Sequence, residues 1–300
     1  MVLGPTASGK TDLAIAIAKK FRGEIISIDS RQMYRGLEIG AAIPSGKWAK
    51  RGSRRVFVVD GVPHHLLAFR SPAKPLTAAE VKEQAVAAAR DIVRRKRLPI
   101  FCGGTGLYAD AISRNFAIPE VEPDPVFRAQ LAKRGTAELF AELRKKDAAY
   151  AERISPQNRR YITRAFEVMA ATGRKFSEQQ AEGQALFRFL KIGVSRPRIE
   201  LYRRIDRRVD AMMAAGLLEE ARKLGRRYGW DGQVMTSLGH RQLGQFLRGE
   251  IALEEAIGLI KKLTRHYAKR QLTWFKRDSG ICWVKNRAAA FRSVSDFLKG

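Results

Sequence analysis

Gly4-Pro5-Thr6-Ala7-Ser8-Gly9-Lys10-Thr11 stands almost at the head of a 300-residue chain. The spacing is G-x-x-x-x-G-K-[ST], a loop that joins a strand to a helix and cradles phosphate. The flanks agree with that reading. Met1–Leu3 is a very short apolar strand, and Thr11–Phe21 is helical. The glycines let backbone N–H groups converge on one anion, and the helix N-terminus adds partial positive charge. Lys10 contributes a point charge, and the Thr11 hydroxyl can hold Mg²⁺. The loop alone does not specify which phosphate compound binds.

Outward from the loop, apolar strands alternate with helices. Glu24–Asp29 (EIISID) reads as a strand that stops at a carboxylate, and Val56–Asp60 as another. Thr77 and Glu80 form a T-x-x-E capping box ahead of a helix with Val81, Ala85, Ala88, Ala89, Ile92 and Val93 on its apolar face. Pro99–Cys102 is a buried strand closed by Gly103-Gly104. This alternation predicts an α/β fold, a parallel sheet flanked by helices. From Phe116 to Ala185 the pattern is helical: starts are read at Asp124-Pro125, Thr136 and Ser155-Pro156, and a stop at Gly173. Phe189–Val194 returns as a strand. Helices follow over Arg198–Gly216, Leu217–Tyr228 and Ile257–Arg277, then a short strand and a tail from Asp278. The expected organisation is a core of residues 1–116 and 189–300 with a mainly helical insertion at 117–188.

The composition narrows the partner. Hydrophobic residues at 45% and charged residues at 29% describe a folded chain rather than a disordered or membrane-embedded one. Lys+Arg 57 against Asp+Glu 30 gives a net charge of +27, a field that draws in polyanions, nucleic acid first. The clusters include Arg94–Arg97, Arg203, Arg204, Arg207 and Arg208, and Lys261, Lys262, Arg265, Lys269 and Arg270. Arg204 and Arg208 share a helix face, so one of them can reach a phosphate. Cys102 and Cys282 suit neither a disulfide framework nor a metal site, which fits a reducing, cytoplasmic setting. No signal peptide and no membrane span are read. His64-His65 lacks partners at metal spacing and reads as packing or hydrogen bonding. Tyr267, Trp274 and Phe275 read as core of the last long helix.

Asp29 ends its strand at the sheet edge that faces the ligand crevice in open parallel sheets. It suits a general base, and equally a turn cap. Gly103-Gly104-Thr105-Gly106-Leu107-Tyr108 would bring a hydroxyl and bare backbone to the same edge, although Gly-rich turns are common after strands.

Taken in order, GPTASGKT (4–11), DSRQMYRGLEIG (29–40), PHHL (63–66), GGTGLY (103–108), DP (124–125), RAFEV (164–168), GLLEEARKL (216–224), LGHRQ (238–242) and AKRQLTWF (268–275) resemble the tRNA dimethylallyltransferases, the bacterial tRNA isopentenyltransferases. The likeness spans more than nine-tenths of the chain. It implies a P-loop NTPase-like sheet and transfer of a dimethylallyl group from its diphosphate to N6 of the adenosine 3′ of the tRNA anticodon. Gly4, Pro5, Thr6, Ala7, Ser8, Gly9, Lys10 and Thr11 would then hold a diphosphate leaving group with Mg²⁺ on Thr11, rather than ATP. By the same likeness Asp29 is the general base, Thr105 a hydroxyl near the reacting centre and Arg208 a diphosphate-binding arginine. Asp29, Ser30, Arg31, Gln32 and Thr105 would meet the flipped base. Arg128, Arg160, Arg164 and Arg241 would contact tRNA, with the insertion clasping the anticodon stem-loop of a tRNA bound to a monomer.

The chain departs from the family pattern at Gly40-Ala41-Ala42-Ile43-Pro44, where G-T-A-K-P is common, at Ser155-Pro156-Gln157-Asn158 for H-P-N-D, and at His240 for a Tyr. Two other readings compete with the transferase. A P-loop small-molecule kinase would consume ATP, and an RNA-binding protein with a vestigial loop would bind without turnover.

Overall fold

The computed structural model describes residues 1–51, 54–180 and 182–300. Eight strands among them form one sheet: β1 (Val2–Leu3), β2 (Gly23–Ser27), β3 (Lys47–Arg51), β4 (Arg54–Val59), β5 (Val62–His65), β6 (Leu98–Gly103), β7 (Lys191–Val194) and β8 (Ile281–Val284). Their order is β3-β4-β5-β2-β6-β1-β7-β8. From β5 to β8 every pairing is parallel, as the strand–helix alternation predicts. β4 runs antiparallel to both β3 and β5, so the sheet is mixed. The short Asp60-Gly61 turn between β4 and β5 leaves no room for a crossover helix, which a parallel pair requires.

The helices are α1 (Lys10–Lys20), α2 (Ala78–Arg94), α3 (Gly106–Ser113), α4 (Pro125–Ala132), α5 (Thr136–Lys146), α6 (Ala148–Ala151), α7 (Arg159–Thr172), α8 (Arg198–Ala214), α9 (Leu217–Tyr228), α10 (His240–Leu247), α11 (Leu253–Phe275) and α12 (Arg287–Lys299). Leu13, Ala14 and Ile17 of α1 and Ala290 and Val294 of α12 share a core with Val2, Ile25, Ile100 and Ile192 of the sheet. The Thr77–Glu80 capping box forms as read. Asp124 caps α4 through the N–H groups of Val126 and Phe127, with Pro125 in the first turn.

Several boundaries differ from the sequence reading: β2 stops at Ser27, two residues before Asp29, and three helices differ as well. α7 begins at Arg159, because Ser155-Pro156 folds as a turn in which Ser155 Oγ accepts from Gln157 N–H. α11 begins four residues early, at Leu253. The tail after β8 is the helix α12, capped by Asn286.

The chain divides into two compact units, Met1–Ala109 with Arg188–Gly300, and Asp110–Phe187. The first holds the sheet. The second has its own core, in which Leu139, Leu143, Ile162, Ala165 and Val168 are fully buried. Among the described residues no helix is long and apolar enough to cross a membrane.

The strongest buried ion cluster in the first unit surrounds Glu24, which is 2% exposed. Burial alone would raise its pKa. Hydrogen bonds from His65 (2.7 Å) and Arg95 and the Arg95 charge outweigh burial and hold it at about 2. His64, beside it, is buried with Nδ1 against the Val62 carbonyl at 3.0 Å. The His64-His65 pair therefore packs and hydrogen-bonds. Because the folded-state pKa of Glu24 is depressed, its contribution is complete above the unfolded value near 4.5 and is lost as pH falls toward about 2. Glu24→Gln should lower stability by roughly 2 kcal/mol at pH 7, after discounting for the solvent around half-exposed Arg95. Urea midpoints of the two proteins should converge between pH 4.5 and 2; equal midpoints at pH 7 would contradict this account.

Candidate active site

The loop of residues 4–11 leaves the end of β1, flanked by β6 and β7. Gly4 and Gly9 adopt φ of 155° and 93°, and Ala7 sits in the left-handed region at φ 61°. For a non-glycine residue that conformation costs on the order of 1 kcal/mol and persists only when the surroundings enforce it. Here they do: Arg204 Nε donates to the Ala7 carbonyl at 2.7 Å, and Arg196 Nε to the Ser8 carbonyl at 3.2 Å. Thr6 N–H is taken by Gln271 and Ser8 N–H by the Pro5 carbonyl at 3.3 Å, so the amides available to an anion are those of Ala7, Gly9, Lys10 and Thr11. Lys10 Nζ lies 3.3 Å from the Pro5 carbonyl. Ser8 Oγ is buried inside the loop without a hydrogen-bond partner.

Gln271, buried on α11, ties this loop to the next. Its Oε1 accepts from Thr6 N–H at 2.9 Å, and its Nε2 donates to the Gly104 carbonyl at 2.8 Å. The amide end of Gln271 lies where a side chain at residue 104 would begin, so glycine is needed there. The turn after β6 is thus more than a common Gly-rich connection. Thr105 Oγ1 accepts from Ser30 N–H at 3.1 Å and links the ends of β6 and β2.

Asp29 lies just past β2. Its Oδ1 accepts from Arg31 N–H at 2.9 Å and Gln32 N–H at 3.4 Å. It therefore does cap a turn, and both sequence readings of Asp29 can hold together, because one oxygen caps and Oδ2 has no hydrogen-bond partner among the described residues. The carboxylate also lies within electrostatic reach of Lys10. Burial lowers the pKa of Lys10, and the Asp29 charge is the largest influence opposing that. Burial raises the pKa of Tyr267, and the Asp29 charge adds to it. Tyr267 is half-buried and not, as read from sequence, part of the core. Phe275 is core, and Trp274 packs against Gly106.

Arg208 Nη1 stands 3.5 Å from Thr6 Oγ1. Burial lowers its pKa, and the neighbouring Arg204 charge lowers it further. Arg208 in turn lowers Lys10. Three cations held against mutual repulsion beside a ring of amides form a seat for an anion. The donors around it suit magnesium, which keeps several waters and takes only one or two protein oxygens alongside substrate phosphates. Thr11, on the first turn of α1, fits that role, and the orphaned Ser8 hydroxyl adds a polar atom within the same loop. No cluster of three or more metal-ligating side chains occurs among the described residues.

The neighbouring stretch is pinned from several sides. Arg31 donates to the Gln233 carbonyl (3.3 Å) and to Thr236 Oγ1 (3.0 Å), which joins it to the segment leading into α10. Gln32 Nε2 donates to the carbonyls of Ala41 (3.2 Å) and Ala42 (3.3 Å). Glu220 accepts from the N–H groups of Ile39 and Gly40, each at 2.8 Å, and lies 2.9 Å from His240 Nε2. His240 is fully buried, with Ser237 Oγ at 2.9 Å from Nδ1. That network accommodates His240 at the position where the family commonly shows Tyr.

The structure brings the phosphate loop, Asp29, Ser30, Arg31, Gln32, Thr105 and Arg208 together in the first unit. Arg241 is exposed there, on α10. Arg128, Arg160 and Arg164 belong to the second unit. Arg128 is bidentate to buried Glu167 at 2.6 and 2.9 Å. Arg164 holds the carbonyls of Pro119 (3.2 Å) and Val121 (2.7 Å) and approaches the same Glu167. Arg160 is exposed on α7. Sequence reasoning missed Gln271, Arg196, Arg204 as a loop anchor, and Glu220. The AKRQ and GLLEE motifs contained two of them, with nothing in the local pattern to reveal what they touch.

The IPP transferase family model matches residues 32–278. A tRNA dimethylallyltransferase of Roseiflexus is 43% identical, covering 92% of this chain and 89% of that protein. One from Geobacillus kaustophilus is 40% identical over the whole chain and 96% of its own length. Among solved structures, the tRNA isopentenylpyrophosphate transferase of Bacillus halodurans superposes with a TM-score of 0.70 at 34% identity, covering 99% of this chain and 94% of that one. A eukaryotic dimethylallyltransferase acting on tRNA also gives a TM-score of 0.70, at 27% identity, over 91% of this chain and 68% of its own. With the sheet order, the phosphate loop and these likenesses in agreement, the chain belongs to the IPP transferase family.

Proposed function

We propose that this chain transfers a dimethylallyl group from dimethylallyl diphosphate to N6 of the adenosine 3′ of the anticodon in tRNA. Transferase chemistry on tRNA follows from family membership and about 40% identity over nearly the whole chain to proteins of that name. The observation that carries the residue-level reading is the joining of three turns at one sheet edge: Thr105 accepts from Ser30, next to Asp29, at 3.1 Å, and Gln271 ties Gly104 to Thr6 of the phosphate loop.

In this reading the loop of residues 4–11 binds the diphosphate through the amides of Ala7, Gly9, Lys10 and Thr11, with the Lys10 and Arg208 side chains beside them. Mg²⁺ held on Thr11 would neutralise part of the diphosphate charge. The adenine leaves its stack, at a cost of a few kcal/mol, to enter the site beside Ser30–Gln32. N6 attacks the allylic carbon, the carbon–oxygen bond to diphosphate breaks, and Asp29 takes the N6 proton on Oδ2. Lys10 and Arg208 stabilise the charge that develops on the departing oxygen. Thr105, which accepts from Ser30 N–H, keeps its hydroxyl proton for the reacting centre. Exposed Arg160 and Arg241 contact tRNA, and Arg128 and Arg164 act from their places around Glu167 on the helical unit, which holds the anticodon stem-loop. A kinase reading has no need of the net charge of +27, and the Asp29, Thr105 and Arg208 set speaks against a vestigial loop.

Purified protein given dimethylallyl diphosphate, Mg²⁺ and tRNA should label one adenosine per accepting tRNA; transfer to no tRNA, or product-coupled ATP consumption, would reject the proposal. Asp29→Ala should cut turnover by about 10²-fold or more while tRNA affinity stays close to wild type. Equal loss of both would remove Asp29 from the base role. Gln271→Ala strands Thr6 N–H and the Gly104 carbonyl and should raise KM for the diphosphate about tenfold, an effect of roughly 1.4 kcal/mol; an unchanged KM would show that the loop holds its shape without that amide.

A further inference from the structure

α8 and α11 enclose a groove of about 450 Å³ on the first unit. Arg198 and Tyr202 line it from α8, and Lys262, Arg265, His266 and Lys269 from α11. At Gly258 its floor is open, with no atom within 4 Å of where a side chain would begin. This is not the face that carries the phosphate loop. At about 100° per residue, Gln271 projects roughly 200° around α11 from Lys269. Arg204 and Arg208, which hold the loop, lie on a different side of α8 from Arg198 and Tyr202.

The four α11 residues recur at i, i+3, i+4 and i+7, so they form one stripe about 10 Å long. Its three fixed cations, Lys262, Arg265 and Lys269, repel at that spacing. Few acids offset them: Asp206 lies 3.5 Å from Arg265, while Asp210 is taken by Lys261 at 2.6 Å and Glu200 faces Arg196 at 3.7 Å. The guanidiniums are pre-organised. Arg198 and Arg265 stand 5.3 and 5.9 Å from the centre of the Tyr202 ring, and Arg198 Nε donates to Tyr202 Oη at 3.3 Å.

From this geometry we infer that the groove between α8 and α11 binds the phosphodiester backbone of RNA, as a second contact on the tRNA outside the reacting site. A row of cations spread along two turns matches an extended polyanion better than a single phosphate. An anionic bilayer does not suit a concave groove with no exposed large apolar side chain among its lining residues. The inference rests on tRNA being the substrate.

The test compares Lys262→Ala/Lys269→Ala with Arg292→Ala/Lys299→Ala, which removes equal charge from exposed positions on α12. Fluorescence anisotropy with full-length tRNA over a salt series should show about tenfold weaker binding for the groove variant. Its log–log salt dependence should be shallower by about 1.5, the loss of two phosphate contacts. The α12 variant should match wild type, and in turnover assays the groove variant should raise KM for tRNA more than it lowers kcat. Equal weakening of both variants would mean diffuse charge, and no weakening an unused groove; either overturns the inference. So would sedimentation with phosphatidylserine vesicles that the groove variant alone loses while tRNA affinity is unchanged. Wild-type protein that fails to transfer the prenyl group yet shows the groove-specific loss of tRNA binding would sink the proposed reaction and leave the groove standing.

Discussion

Two residues, Val2 and Leu3, pair in parallel with β6 on one side and β7 on the other, and everything at the site depends on that placement. The phosphate loop therefore leaves the sheet between β6 and β7, between the turn that carries Thr105 and the segment that carries Arg196. The loop then needs outside support, since Ala7 stands in a conformation it would not hold alone. Arg204 supplies it from α8, Arg196 from the segment after β7 and Gln271 from α11. The C-terminal helices are in this sense the back wall of a site whose front is made by the first 110 residues.

The same arrangement sets the electrostatics. Lys10, Arg204 and Arg208 are crowded together, and burial with mutual repulsion lowers the pKa of Lys10 and Arg208. In the proposed reaction a bound diphosphate would relieve that repulsion. Asp29 interacts with the Lys10 charge, with one oxygen committed to its turn. A carboxylate so placed can accept a proton at the moment negative charge leaves on the diphosphate, which couples the two ends of the reaction through one small space.

What was legible in the sequence was local. The phosphate loop, the strand that leads to Asp29 and the Gly103–Thr105 turn each announce themselves by spacing or by punctuation within about ten residues. The supports do not, because their contacts span the chain: Gln271 meets Thr6 across 265 positions and Arg204 meets Ala7 across 197. β3 (KWAKR) lacks the alternation of a half-buried strand, and β5 carries Pro63, which argues against a strand assignment. α10 went unread because it is short and follows Gly239, a residue that reads as a turn in the sequence and that the fold uses as the N-cap, its N–H held by Gln242 Oε1 at 3.1 Å. The Tyr267 assignment failed for a related reason. An aromatic on an amphipathic helix reads as core, and only its distance from Asp29 in space gives it a different part.

A crystal structure with dimethylallyl S-thiolodiphosphate, Mg²⁺ and an anticodon stem-loop would place the reacting groups outright. The diphosphate oxygens should lie on the free amides of the Gly4–Thr11 loop, with Arg208 beside them and the extruded adenine's exocyclic nitrogen within hydrogen-bond distance of Asp29 Oδ2. A diphosphate bound away from the Gly4–Thr11 loop, or an adenine amine facing a group other than Asp29, would contradict that placement.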